Sequence, residues 1–146
     1  MGLFGRVTRL AAHLSEAQAP VFQNHGLTAA GFDVLATLRR AGPPYALTPS
    51  ALIAWTMVTS GTMTNRLDRL ERDRLIERQP NPKDGRGWLV ALTPEGFARI
   101  DRVVTEHVAN QHRLLDGLSP AQRESLNAGL AAWLTLYEAR DDPAES

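Results

Sequence analysis

The chain has 146 residues, of which 43% are hydrophobic, and its 16 Lys/Arg and 16 Asp/Glu give a formal net charge of zero. This length and composition suit one globular domain and exclude wholesale disorder. The absence of cysteine excludes disulfides, thiolate metal sites and a cysteine redox switch. Because there is no apolar run of membrane-spanning length and no long apolar core near residue 1, we expect a soluble cytoplasmic protein without a membrane partner.

Two helices are predicted in the first third of the chain. Apolar residues at spacings of three and four mark the first helix, and these are Leu3, Val7, Leu10, Leu14, Ala17 and Val21. The chain breaks at His25-Gly26, and Thr28 caps a second helix that Gly42 ends.

The next two helices are predicted to form a helix-turn-helix. Thr48 and Pro49 open a short third helix, because a capping hydroxyl precedes a proline at the first helical position. After a tight turn at residues 58–60, Thr59 or Ser60 caps a fourth helix with one buried face, formed by Met63, Leu67 and Leu70.

A β-hairpin follows the fourth helix. Residues 75–78 and 88–92 are predicted as strands, and the proline-rich residues 80–85 between them carry turn chemistry. Lys83 and Arg86 lie at the tip, where a wing would meet the DNA backbone or minor groove. Asp84 is expected to stabilise this wing by a charged hydrogen bond to the Arg86 side chain.

Two further helices complete a mainly α chain. Thr93-Pro94 starts a long helix whose apolar positions run from Phe97 to Leu118. Ser119-Pro120 starts the last one, which bears a second stripe at Leu126, Leu130, Trp133 and Tyr137. A domain of this size cannot easily bury these stripes and that of the first helix within itself, so we predict a homodimer.

The outer face of the fourth helix is the candidate DNA-reading surface. At about 100° per residue, Leu67 and Leu70 lie within about 40° of Met63, so the polar residues face the other way. Asn65 can pair with adenine in the major groove, and Arg66 or Arg69 can bind guanine or phosphate. The predicted DNA-binding residues are Ser60, Thr62, Thr64, Asn65, Arg66, Arg69, Lys83 and Arg86.

Charge alone supports this interface weakly. Residues 59–88 hold seven cationic and five acidic side chains, a local net charge of +2 that a solvated mixed-charge surface would also give. A single helix-turn-helix pattern is also weak evidence, whereas its combination with a basic hairpin directly after it is much more specific.

These motifs resemble the MarR family of winged helix-turn-helix regulators. The similarity rests on LTPS at residues 47–50, TSGTMTNRLDRLE at 59–71, PNPKDGR at 80–86 and LTPEG at 92–96. Residues 28–48 further resemble the branch that includes urate-responsive repressors. The resemblance implies one MarR-like domain over residues 1–146, with a DNA-binding lobe at 28–93 and dimerisation helices at 1–24 and 97–140. It also implies a pseudo-palindromic double-stranded operator, repression, and often a phenolic or other small aromatic effector.

Three departures from the family pattern are visible. Arg74 stands where the family usually has glycine, in a turn that often needs a left-handed backbone, so this turn is expected to be strained or reshaped. Trp55 and its neighbours replace the charged residues usual in the third helix, and we expect Trp55 to be exposed. The first helix lacks the tryptophan of the urate-responsive branch, so urate itself is not the expected effector.

An effector cleft is predicted, by the same resemblance, near His13, Leu14, Phe32 and Asp33. For Asp33 an effector-linked acid and an ordinary surface acid or ion pair remain alternatives. No cofactor or metal is expected, because His107 and His112 lie about 140° apart on their helix.

The sequence also bears on two other classes of function, an enzyme and a protein-interaction adaptor. An enzyme is not expected, because the sequence contains no nucleophile elbow, phosphate loop or zinc signature. A non-DNA protein-interaction adaptor built on the same fold stays an alternative, and it would not show the steeply salt-dependent DNA binding of a regulator.

Overall fold

The computed structural model describes residues 2–56 and 60–138, and of Ser60 the backbone only. The helices are α1 (Leu3–Gln23), α2 (Ala29–Arg40), α3 (Pro49–Trp55), α4 (Ser60–Arg72), α5 (Pro94–Leu114) and α6 (Pro120–Glu138). The strands are β1 (Ala46–Leu47), β2 (Ile76–Pro80) and β3 (Trp88–Leu92). This is the predicted mainly helical chain with a β-hairpin. Apart from the Ser60 backbone, the tight turn predicted at residues 58–60 falls outside the described residues. The same holds for the side chains of Thr59 and Ser60, and so for the predicted cap of α4 and the predicted DNA contact of Ser60.

Four predicted helix starts, those of α2, α3, α5 and α6, are confirmed by their capping hydrogen bonds. The hydroxyl of Thr28 accepts the Gly31 N–H at 3.0 Å, and that of Thr48 accepts the Ala51 N–H at 3.1 Å. In each case the cap satisfies a backbone donor that the first helical turn leaves without a partner. Three further bonds cap α5 and α6, from the Gly96 N–H to Thr93, from the Gln122 N–H to Ser119 and from the Ser119 N–H back to Gln122.

The sheet has three antiparallel strands in the order β1-β3-β2. Ile76 pairs with Leu92 and Pro80 with Trp88, which sets the register of the hairpin. The sequence did not predict β1, whose Ala46 and Leu47 pair with Ala91 and Val90, because a two-residue strand is too short to show an alternating pattern.

The long fifth helix is shorter than predicted. It ends at Leu114 rather than Leu118, because the Leu115 N–H donates to His112 and the Leu118 N–H donates to Leu115, closing turns instead of continuing the helix. The apolar spacing continues through this turn, so periodicity alone could not reveal the helix end.

The chain divides into two compact units, residues 1–110 and 111–146. The first unit holds a hydrophobic core centred on side chains with no exposed surface, namely Val34, Leu35, Leu38, Leu52, Leu75, Val90, Ile100 and Val103. In the second unit, none of the residues of α6 is buried. Among the described residues, no helix has both the length and the apolar character needed to cross a membrane.

Candidate nucleic-acid interface

Helix α4 is rotated as the sequence predicts. Met63, Leu67 and Leu70 are 1%, 2% and 4% exposed, so this face belongs to the core. The opposite side of the helix is exposed and carries, besides the acid Asp68, the uncharged and cationic residues Gly61, Thr62, Thr64, Asn65, Arg69 and Arg72. We call these six residues the polar face of α4. A face of this kind, carrying amide, hydroxyl and guanidinium groups, has the donors and acceptors that base edges and phosphates require.

Arg66 is placed differently from the other predicted DNA-binding residues. It is half-buried, and its guanidinium donates to the hydroxyl of Thr28 at 3.2 Å, where α2 begins. Arg66 therefore links α4 to α2, and Arg69 is the more exposed of these two arginines.

The hairpin tip is built by short side-chain to backbone contacts. The Asn81 side chain accepts the Lys83 N–H at 3.0 Å, and Asp84 accepts the Arg86 N–H at 3.1 Å. Asp84 thus bonds to the backbone of Arg86 rather than to its guanidinium as expected, in the manner of an Asx turn. The two side-chain to backbone bonds order the tip of the wing, and the side chains of Lys83 and Arg86 stay exposed.

Arg78 joins the hairpin to α4, and sequence reasoning assigned it no role. Its guanidinium donates to Asp68 and to Glu71, each at 2.7 Å, and lies 4.8 Å from the ring centre of Trp88. The hydrogen bond with Asp68 is the main cause that raises the pKa of Arg78 above its ordinary value. Asp68 and Glu71 are three residues apart on one side of α4, which the sequence shows. That Arg78 of β2 lies against them becomes visible only in the folded chain.

The turn after α4 keeps the left-handed conformation despite lacking glycine. Arg74 has a φ of 60°, its N–H donates to Glu71, and its carbonyl accepts the Thr93 hydroxyl at 2.7 Å. The alternative of a reshaped turn is therefore wrong, and the chain retains the strained conformation. The left-handed region costs a residue with a side chain about 1–2 kcal/mol.

Trp55 is 61% exposed at the end of α3, as expected. The sequence of α3, PSALIAW, holds no charged residue, so this helix offers no cation to a phosphate.

An open cleft of about 310 Å³ lies between α1, α2 and α5. Of the four predicted cleft residues, Leu14 and Phe32 line it. His13 is exposed on α1 and Asp33 is partly buried on α2, and neither belongs to the lining. His107 of α5 also lines the cleft, a position that the sequence did not predict.

Aromatic rings give the cleft its chemistry. Phe22 and Phe32 are stacked with ring centres 4.5 Å apart, and His107 lies 4.8 Å from Phe32. The His107 Nδ1 is buried without a hydrogen-bond partner, and burial lowers the pKa of His107. A planar ligand with a hydrogen-bonding group would fit such a lining. Over residues 2–56 and 60–138, no three His, Asp or Glu side chains come together as metal ligands would.

Comparison with known proteins identifies relatives of this fold and site. The model of the MarR family matches residues 25–87. The HTH-type transcriptional regulator PecS of Dickeya dadantii is 41% identical over 128 residues, which are 88% of this chain and 77% of PecS.

Two solved structures are similar over nearly the whole chain. A mutant of MarR from E. coli complexed with operator DNA is 29% identical, with a TM-score of 0.78 over 92% of this chain and 99% of that one. BpsR of Bordetella bronchiseptica, whose DNA binding is regulated by 6-hydroxynicotinic acid, is 26% identical, with a TM-score of 0.81 over 90% and 92%.

Proposed function

Because the chain belongs to the MarR family of DNA-binding transcriptional regulators, we propose that it is a homodimeric repressor of a pseudo-palindromic operator, released by a small aromatic effector. The observation that carries the proposal is the polar face of α4, exposed over a fully buried apolar face and followed by a basic wing. In a winged helix-turn-helix, such a helix enters the major groove while the wing reaches the flanking backbone.

The two parts of this interface have different tasks. Thr62 and Asn65 are short polar side chains on the polar face, suited to base edges, whereas Lys83 and Arg86 are exposed cations at the wing tip, suited to phosphates. Sequence preference therefore belongs to α4, and salt-dependent affinity belongs largely to the wing.

Two substitutions test this division of tasks. Asn65→Ala should weaken operator binding by about 1–3 kcal/mol and relax preference at one base position. Arg86→Ala should weaken operator and scrambled duplex alike and reduce the salt slope by about one. Each variant is titrated against both duplexes at three salt concentrations.

Arg102→Ala is the matched control, because Arg102 is an exposed cation on α5, outside the proposed interface. It should leave both affinities unchanged. If Asn65→Ala and Arg86→Ala behave like this control, the polar face and the wing do not contact DNA, and the proposal fails.

The dimer proposal is supported by large apolar side chains that the single chain leaves in solvent. Leu126, Leu130 and Leu134 on α6 are 45–56% exposed, and Leu3 and Phe4 on α1 are 62% and 73% exposed. Apolar surface of this extent on a chain of this size is typical of a subunit interface. A dimer would also present two copies of α4 to the two halves of a palindromic operator.

The effector proposal is supported by the cleft between α1, α2 and α5. Its lining combines the stacked rings of Phe22 and Phe32 with the imidazole of His107, a set of aromatic groups that suits a planar ligand. The similar BpsR responds to 6-hydroxynicotinic acid, which is a small aromatic acid. A ligand that binds best to the conformer with low DNA affinity would shift the population toward it and release the operator.

A further inference from the structure

Helix α4, which we propose enters the major groove, carries two acids close to its polar face. Asp68 follows Asn65 by three residues, so the two are neighbours on the helix surface, and Glu71 lies one further turn along. Both carboxylates are partly exposed, at 50% and 40%.

These acids oppose the function of the helix that holds them. DNA phosphates repel carboxylates, and at about 0.1 M salt this repulsion acts over about 10 Å, further than the rise of one helical turn, about 5.4 Å. Left without a counterion, Asp68 and Glu71 would reduce the affinity of the polar face of α4 for DNA.

We propose that Arg78 is the internal counterion of α4: its guanidinium bonds to both Asp68 and Glu71 and offsets one of their two negative charges, so that α4 can approach DNA. This inference rests on the proposed DNA-binding function and names a positioning residue that acts without touching DNA.

The geometry distinguishes this role from a direct phosphate contact. Two different guanidinium nitrogens of Arg78 are engaged, Nη1 by Glu71 and Nη2 by Asp68, each at 2.7 Å. The Arg78 guanidinium also lies over the ring of Trp88, with 4.8 Å between its central carbon and the ring centre, so this contact further fixes its position. Two of the Arg78 nitrogens are thus directed at α4, whereas the exposed side chains of Lys83 and Arg86 remain available to phosphates.

The test removes the counterion and then removes the charges that need it. Arg78→Met leaves two carboxylates uncompensated, and the triple variant Arg78→Met/Asp68→Asn/Glu71→Gln leaves none. Arg39→Met is the matched control, because Arg39 forms a 2.6 Å ion pair with Asp101 and has a similar exposure, 35% against 30%. Operator affinity is measured at several salt concentrations, with circular dichroism and thermal melting to verify folding.

Arg78→Met should bind operator about tenfold more weakly at 0.1 M salt, and this difference should shrink as rising salt screens the repulsion between the carboxylates and the phosphates. The triple variant should bind at least as tightly as the unmodified protein. Arg39→Met should keep the unmodified affinity.

If the folded triple variant stays as weak as Arg78→Met, Arg78 is a structural strut or a DNA contact, and the inference is wrong. If Arg78→Met does not fold, the operator affinity of the double variant Asp68→Asn/Glu71→Gln tests the inference instead. It should bind operator at least as tightly as the unmodified protein, and weaker binding overturns the inference. Failure of the unmodified protein to bind DNA at all would instead refute the proposed function.

Discussion

Replacing Arg74 with glycine should stabilise the protein. Arg74 has a φ of 60°, a conformation that costs a residue with a side chain about 1–2 kcal/mol. Glycine removes this strain but loses about 0.5–1 kcal/mol through the greater freedom of the unfolded chain, so the net gain lies between about 0 and 1.5 kcal/mol, with about 0.75 kcal/mol at the middle of the two ranges. The hydrogen bonds at this position use the backbone N–H and carbonyl, which glycine keeps, and the Arg74 side chain is exposed.

The assay is thermal and urea unfolding at one protein concentration, because dimerisation would make the midpoint concentration-dependent. A gain of about 0.75 kcal/mol should raise the melting temperature by about 1.5–3 °C. Arg74→Ala is the control, since it removes the same side chain and retains the strained backbone. If Arg74→Gly is no more stable than Arg74→Ala, the left-handed turn is not strained and the reasoning is refuted.

Three further outcomes are expected. Changing Leu130 and Trp133 to glutamate should dissociate or unfold the dimer, and a well-folded monomer of the unmodified chain at micromolar concentration in sedimentation would contradict the dimer proposal. A panel of small aromatic acids and phenols should contain a compound that raises the melting temperature and releases DNA, and a panel that does neither would indicate a constitutive binder. Since burial lowers the pKa of His107 below 6.5 in the folded state, the free energy of unfolding should fall as the pH drops below about 6.5, and His107→Phe should remove that part of the pH dependence.

Local signals in the sequence predicted most of the fold. A cap at Thr28 or Thr93 needs only a hydroxyl and a backbone donor three residues later, so both are visible in the sequence. The rotation of α4 follows from three apolar residues at helical spacing. Features that depend on distant parts of the chain were missed or misjudged, because no local pattern encodes them.

The candidate site divides in the same way. Exposure of Asn65 and Arg69 followed from periodicity, whereas the contact between Arg66 and Thr28 spans 38 residues of sequence and appears only in the folded chain. The role of Arg78 depends on the hairpin folding back onto α4. The cleft lining was half right, since His107 reaches it from a helix that follows α2 by more than fifty residues.

The most direct test of the central claim is protection mapping of the unmodified protein on the DNA that flanks its own gene, repeated at increasing salt. We expect a protected segment with two related half-sites about one helical turn apart, and affinity that falls steeply as salt rises. Binding without a protected segment, or binding that salt does not affect, would contradict sequence-specific DNA recognition and favour a protein-interaction adaptor built on the same fold.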